Sequence, residues 1–168
     1  LKHFTEELTT NETYFFREKG QLDSFIHHIL PKIMESKKSS FAKGINVWSA
    51  GSSSGEEPYS LAILINEAHP NCSFKVTATD LNRKVLNKAK EGCYRQRSLK
   101  DIPQKLVSKY FAEKDGEFML SSEIKRHVSF QMLNLIDDMG MSRIKYQDSI
   151  FCRNVLIYFD DAHRKKII

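Results

Sequence analysis

The sequence has no long apolar run and no regular pattern of cysteines. Among its 168 residues, no apolar stretch approaches the length needed to span a bilayer, and the N-terminus is polar from the start. We therefore expect neither a signal peptide nor a membrane anchor. Cys72, Cys93 and Cys152 match neither a disulfide framework nor a zinc-ligand pattern, and their odd number suits a reducing cytosol. The prediction is a cytoplasmic protein.

Metal and nucleophile signatures are also missing from the sequence. The six histidines form no metal pattern, and the adjacent His27 and His28 would point in different directions on a helix. Because neither the histidines nor the cysteines form a ligand pattern, we predict no metal site. No Cys/His or Ser/His/Asp arrangement suggests a nucleophile. The net charge of +5 could favour nucleic acid, an anionic membrane surface or an acidic protein. Because the basic residues are scattered, a solvated surface is the favoured interpretation.

Hydrophobic residues at 40% and charged residues at 28% are typical of a globular chain, whose length fits one domain. Apolar spacing predicts helices at 21–38, 57–68, 82–90 and 102–112, and a last helix from about 160. It predicts strands at 45–50, 74–79, 117–120, 128–133 and 149–152. Pro31 should kink or restart the first helix. Alternating strands and helices imply an α/β fold with a parallel sheet and right-handed crossovers.

A glycine and serine turn between the first strand and the next helix predicts a nucleotide-type site. Gly51 and Gly55 would let the backbone come close to a ligand, but neither phosphate-binding glycine pattern is present. Glu56 and Glu57 follow at the helix N-terminus, where carboxylates are favoured by the dipole yet would repel phosphate. A cationic ligand with hydroxyl groups fits better, and S-adenosylmethionine has a sulfonium, an ammonium and ribose hydroxyls.

Asp80 ends the second predicted strand. An acid at this place accepts hydrogen bonds from both ribose hydroxyls in dinucleotide-binding folds. The alternative is an N-cap for the helix that starts near Asn82. Taken together with the glycine turn, ribose binding is the favoured interpretation.

Four collinear motifs resemble the CheR family of chemotaxis receptor methyltransferases. They are TTNETYFFRE at 9–18, WSAGSSSGEEPYS at 48–60, ATD at 78–80 and IFCRNVLIYFD at 150–160. The resemblance implies a class I methyltransferase (Rossmann-like) fold with a doubly wound, mostly parallel sheet. It also implies transfer of a methyl group from S-adenosylmethionine to glutamate carboxylates of bacterial chemoreceptors, leaving S-adenosylhomocysteine.

The same resemblance implies the site residues. Those that contact the cofactor are Asn11, Thr13, Arg17, Gly51, Glu57, Asp80, Asn134, Leu135, Arg153 and Asn154. In this assignment Glu57 binds the methionine ammonium and Asp80 binds the ribose. The adenine is contacted by Asn134 and Leu135. Arg17 and Tyr158 are the residues nearest the transferred methyl and the candidates for catalysis.

Several of these residues also have structural explanations. Tyr14, Phe15 and Phe16 favour a place in the core, and the ring of Tyr158 could simply pack there. Arg17 could form a surface ion pair with the adjacent Glu18. Burying the guanidinium of Arg153 without a partner would be costly, so we expect it to face a carboxylate.

The resemblance also leads us to expect an incomplete domain. Residues 1–8 would be the remnant of a linker from an N-terminal helical domain, and 9–168 a catalytic domain that is truncated on its C-terminal side. Residues 150–158 would then form an open apolar edge that invites dimerisation or strand swapping. The expected partners are chemoreceptor cytoplasmic domains, without nucleic acid or membrane insertion. Alternatives are a cofactor-binding sensor or scaffold, or a class I methyltransferase for another carboxylate.

Overall fold

The computed structural model describes residues 13–38 and 44–167. The strands are β1 (Ile45–Ala50), β2 (Phe74–Asp80), β3 (Cys93–Arg95), β4 (Phe111–Lys114), β5 (Glu117–Leu120), β6 (Val128–Met132) and β7 (Ser149–Phe151). The helices are α1 (Lys19–Ser24), α2 (Leu30–Lys37), α3 (Glu56–Ala68), α4 (Arg83–Glu91), α5 (Gln104–Tyr110), α6 (Ser122–Lys125), α7 (Asp138–Met141) and α8 (Asp161–Ile167). Short 3₁₀ turns follow β3 (Gln96–Leu99) and β7 (Leu156–Tyr158).

A parallel sheet with the order β6-β2-β1-β7 organises the described part of the chain. The chain moves outward from β1 through β2 to β6 and then returns to the other side of β1 as β7. The strand order therefore reverses between β1 and β7, and ligands of open α/β sheets bind outside the carboxyl ends of the strands at such a reversal. This sheet confirms the predicted α/β fold and the four predicted core strands, whose bounds agree within two residues.

The first predicted helix is interrupted as Pro31 suggested. A π-helical turn at Phe25–Ile29 separates α1 from α2, and Pro31, which has no N–H to donate to the preceding turn, lies in the first turn of α2. Just before α1, Phe15 and Phe16 are 0% and 2% exposed, which confirms that these two aromatics belong to the core. Tyr14 is only partly buried.

A second, antiparallel sheet with the order β3-β5-β4 was missed by the sequence analysis, apart from β5 itself. The predicted helix at 102–112 is wrong at its end, because α5 stops at Tyr110 and β4 begins at Phe111. Asp115 and Gly116 both have positive φ (53° and 75°) and form a tight turn that pairs β4 with β5. Pairing Phe111 with Leu120 buries both side chains, and this cross-strand burial outweighs local helix propensity.

The exposed edge of the parallel sheet is shorter than expected. β7 ends at Phe151, and Val155 in the chain that follows lies against Gly51 of the glycine turn, so the edge strand does not include residues 152–158. Ile150 is 57% exposed on this edge, so self-association through β7 stays a prediction. None of the helices within residues 13–38 and 44–167 combines the length and the apolar character that a membrane crossing requires.

Candidate functional site

The turn after β1 can be built only with glycine at its first position. Gly51 has φ +77°, in the left-handed region. A Cβ added there would lie 2.0 Å from Cγ2 of Val155, so a larger residue would also collide with the chain that follows β7. The N–H groups of Gly51 and Ser52 both donate to the carbonyl of Thr79, at 2.8 and 2.9 Å. These bonds fix the turn at the carboxyl ends of β1 and β2.

Asp80 ties the same turn to the end of β2. Its Oδ2 accepts a hydrogen bond from the Ser53 N–H (2.8 Å), and its Oδ1 accepts one from the Asn82 N–H (2.9 Å). The N-cap of α4 is Asn82, whose side chain accepts from the Lys84 N–H. The N-cap alternative for Asp80 is therefore wrong, and its carboxylate faces the glycine turn.

A mostly buried ion pair joins α3 to the segment after β7. Glu57 accepts hydrogen bonds from the Ser49 hydroxyl (2.7 Å) and from Nη1 of Arg153 (3.3 Å). Their side chains are only 17% and 11% exposed. This pair confirms that Arg153 faces a carboxylate. Burial raises the pKa of Glu57, an effect that the Ser49 hydrogen bond and the charge of Arg153 oppose.

Glu18 belongs to the same cluster, although the sequence suggested only a surface partner for Arg17. Its carboxylate lies 3.4 Å from Nη2 of Arg153 and accepts a hydrogen bond from Asn154 (3.3 Å), whereas Nε of Arg17 is 4.0 Å away. Burial raises the pKa of Glu18, but Asn154, Arg153 and Arg17 outweigh it, so the pKa is lowered. No local sequence signal reveals contacts between residues 136 positions apart.

The first motif lies beside this cluster. The carbonyl of Arg17 accepts a hydrogen bond from Nη2 of Arg153 (2.7 Å), which fixes the two predicted motifs together. The guanidinium of Arg17 lies 5.9 Å from the ring centroid of Tyr14. Thr13 is half-buried at the start of the described segment, and Asn11 lies outside the described residues. Tyr158 is 49% exposed in the turn after β7, so its ring is not a core residue.

The predicted adenine residues follow β6. The Leu133 N–H donates to the carbonyl of Asp80 (3.0 Å), which places Asn134 and Leu135 next to the end of β2. The side chain of Asn134 accepts from the Ile136 N–H (3.2 Å). Leu135 is 8% exposed and belongs to an apolar cluster that includes Trp48.

The polar groups at these strand ends fit an adenosyl amino acid. Glu57 and Asp80 are anionic acceptors for an ammonium or for hydroxyls, and they would repel a phosphate. Within the part of the chain that the structure describes, five buried side-chain polar atoms have no hydrogen-bond partner. Oγ of Ser121 and Oε1 of Gln147 lie away from these strand ends, and the other three are Oγ of Ser52, Oγ of Ser53 and Nε of Arg153. All three belong to the glycine turn or to the Glu57 ion pair. Unsatisfied buried groups of this kind suit a polar ligand.

Glu56, which is adjacent to Glu57, is 2% exposed, and from this burial we predict that the stability of the protein depends on pH. Burial raises its pKa above 4.5, against a hydrogen bond from Ser54. The folded protein therefore keeps the Glu56 proton to higher pH than the unfolded chain does. As a result, the contribution of Glu56 to the free energy of unfolding falls as pH rises from 4.5 through the raised pKa. Glutamine does not titrate, so we expect the free energy of unfolding of Glu56→Gln, relative to that of the parent protein, to be higher at about pH 8 than at about pH 5. Urea unfolding at both pH values checks this, and a difference independent of pH would contradict it.

Comparison with known proteins adds the family. A family model described as "CheR methyltransferase, SAM binding domain" matches residues 11–168. The chain belongs to this family. The match confirms the CheR resemblance, the class I methyltransferase fold and S-adenosylmethionine as the cofactor of the domain.

Relatives of this CheR-family chain carry the name chemotaxis protein methyltransferase. The protein of Borreliella burgdorferi is 41% identical over 99% of this chain and 60% of its own length. Chemotaxis protein methyltransferase 2 of Vibrio cholerae is 38% identical over 100% of this chain and 59% of its own length. The Escherichia coli protein is 34% identical over 98% of this chain and 56% of its own length. The chain thus spans less than two thirds of these relatives.

Proposed function

We propose that the protein transfers a methyl group from S-adenosylmethionine to glutamate carboxylates in the cytoplasmic domains of chemoreceptors, forming methyl esters in the bacterial cytoplasm. One observation carries the proposal. In a chain of the CheR family, Glu57, Asp80 and Arg153 converge at the carboxyl ends of β1, β2 and β7, where the strand order reverses. The names of the relatives support a role in chemotaxis.

The assignment of the cofactor follows the charges of the site. Glu57 and Arg153 present one anion and one cation side by side, which matches the ammonium and carboxylate of an amino acid zwitterion. We assign the ammonium to Glu57, the methionine moiety to Arg153 and Asn154, and the ribose hydroxyls to Asp80. Gly51 allows close approach of the ligand. The remaining proposed contacts are Asn11, Thr13, Arg17, Asn134 and Leu135.

The chemistry needs orientation more than proton transfer. The cofactor supplies a methyl group activated by the adjacent sulfonium. A substrate glutamate, with an ordinary pKa of about 4.3, is already ionised at neutral pH and needs no general base. Alignment of the two groups can contribute roughly 7–11 kcal/mol in favourable cases. In this proposal Arg17 aims the incoming carboxylate and Tyr158 aligns it with the methyl group.

Removing the Arg17 side chain and the Tyr158 hydroxyl in separate variants should distinguish the roles of the two residues. We expect Arg17→Ala to lower turnover about 100-fold and to weaken S-adenosylhomocysteine binding, because Arg17 is proposed to contact both ligands. Tyr158→Phe should lower turnover about tenfold and leave that affinity unchanged. Turnover is measured with radiolabelled cofactor, and affinity by calorimetry. Arg126→Ala and Tyr146→Phe, at exposed positions outside the site, are matched controls. Full turnover in both site variants would remove Arg17 and Tyr158 from the mechanism.

The function itself is tested in two steps with the same protein. Calorimetry compares S-adenosylhomocysteine with ATP, and a transfer assay then uses cytoplasmic fragments of chemoreceptors. We expect the adenosyl ligand to bind, ATP not to bind, and glutamate methyl esters to form. Binding without transfer to receptor fragments would favour a sensor or scaffold, or a methyltransferase for another carboxylate. Binding of ATP in its place would contradict the proposal.

A further inference from the structure

A buried hydroxyl of the antiparallel sheet contacts the glycine turn. Tyr94 lies on β3 and is 2% exposed, and its hydroxyl donates to the backbone carbonyl of Ser54 at 2.9 Å. Ser54 lies within the turn, between Gly51 and Gly55. This hydrogen bond therefore joins the sheet that the sequence did not reveal to the turn that faces the proposed cofactor.

The surroundings leave this hydroxyl little freedom. The ring of Phe15 packs edge-on against Tyr94, with the centroids 4.8 Å apart. A Cβ added to Gly55 would lie 3.1 Å from the Tyr94 hydroxyl, so the phenol lies directly against the turn. The Phe15 N–H donates to the carbonyl of Ser98 (2.9 Å), which anchors the chain just after β3 to the first motif.

A second link acts on the same residue of the turn. The Ser54 hydroxyl donates to Oε2 of Glu56 (2.7 Å), and the Ser98 hydroxyl donates to Oε1 of that carboxylate at 3.5 Å. Ser54 is thus held at its carbonyl by Tyr94 and at its hydroxyl by Glu56. Both links lead back to the chain at 94–98.

The turn needs such restraints because its backbone is unfavourable. Gly51, Ser53 and Gly55 have φ values of +77°, +48° and +94°. The left-handed conformation costs free energy for a residue with a side chain such as Ser53, and it persists only where surrounding contacts impose it. We propose that Tyr94 is a positioning residue whose hydroxyl holds the glycine turn in the conformation that binds the adenosyl cofactor. The inference rests on the proposed function.

Tyr59 provides a matched control. It is 1% exposed, and its hydroxyl donates to the carbonyl of Ala89 on α4 at 3.0 Å, so it is equally buried but does not hold the turn. Tyr94→Phe and Tyr59→Phe each remove one hydroxyl and keep the ring. We expect a similar fall in melting temperature for both variants. Only Tyr94→Phe should weaken S-adenosylhomocysteine binding, by about three- to tenfold, and speed hydrogen exchange of the amides at 51–55.

The two readouts separate this inference from the proposed function. If both variants bind S-adenosylhomocysteine equally and exchange the turn amides at the same rate, the positioning role of Tyr94 is overturned. If the parent protein does not bind S-adenosylhomocysteine at all, the proposed function fails. The exchange comparison in the unliganded protein would then still decide whether Tyr94 holds the turn.

Discussion

Gly51→Ala is expected to destabilise the protein by about 2–5 kcal/mol and to abolish binding of S-adenosylhomocysteine. Two independent costs add up. A left-handed backbone costs an alanine roughly 1–2 kcal/mol, and φ at Gly51 is +77°. The new Cβ would also lie 2.0 Å from Cγ2 of Val155, and overpacking of this kind typically costs about 1–3 kcal/mol. Denaturant unfolding measures the loss of stability, and calorimetry measures the loss of S-adenosylhomocysteine binding.

Two further variants separate these costs. Gly116 has nearly the same φ (+75°), but nothing lies within 4 Å of a Cβ added there. Gly116→Ala should therefore show only the backbone cost. Val155→Ala removes the colliding methyl groups, so combining it with Gly51→Ala should recover part of the lost stability. Equal losses for Gly51→Ala and Gly116→Ala would show that residues 153–158 do not pack on the turn.

Glu57→Gln is expected to weaken S-adenosylhomocysteine binding by about 10- to 150-fold. Glutamine keeps the length of the side chain and its acceptor for Ser49, but it loses the charge that we assign to the ammonium. Hydrogen bonds to charged groups contribute about 1.5–3 kcal/mol, which corresponds to this range. The measurement is calorimetric titration of the variant beside the parent protein.

The control for this variant lies at the other end of the same helix. Glu67 pairs with Lys109 and accepts a hydrogen bond from the Tyr110 hydroxyl, far from the glycine turn. Glu67→Gln removes one carboxylate from α3 and should leave the affinity unchanged. If Glu57→Gln bound as tightly as Glu67→Gln, Glu57 would not be the partner of the ammonium.

The elements that the sequence predicted well are those whose signal is local. Apolar runs and the glycine turn located β1 and β2 to within a residue, and the paired carboxylates Glu56 and Glu57 marked the start of α3. The carboxylate partner of Arg153 was expected from the cost of burying a guanidinium alone. Family motifs then supplied the candidate site residues, several of which the fold brings to one sheet end.

Most of what the sequence did not predict depends on long-range contacts. β4 is the exception, because residues 111–114 pair with β5 across the Asp115–Gly116 turn, and this dipeptide is a local hairpin signal that could have predicted the strand. Glu18 reaches Arg153 and Asn154 only in the folded chain, and Tyr94 meets Ser54 across 40 positions. No periodicity or spacing encodes such pairs, since they arise from how distant segments of the chain pack.

A crystal structure with S-adenosylhomocysteine would test the central assignment most directly. We predict density across the ends of β1 and β2, with the ribose hydroxyls on Asp80 and the amino group on Glu57. Density for the ligand elsewhere, or ribose hydroxyls that do not reach Asp80, would contradict a site built for a cationic adenosyl ligand.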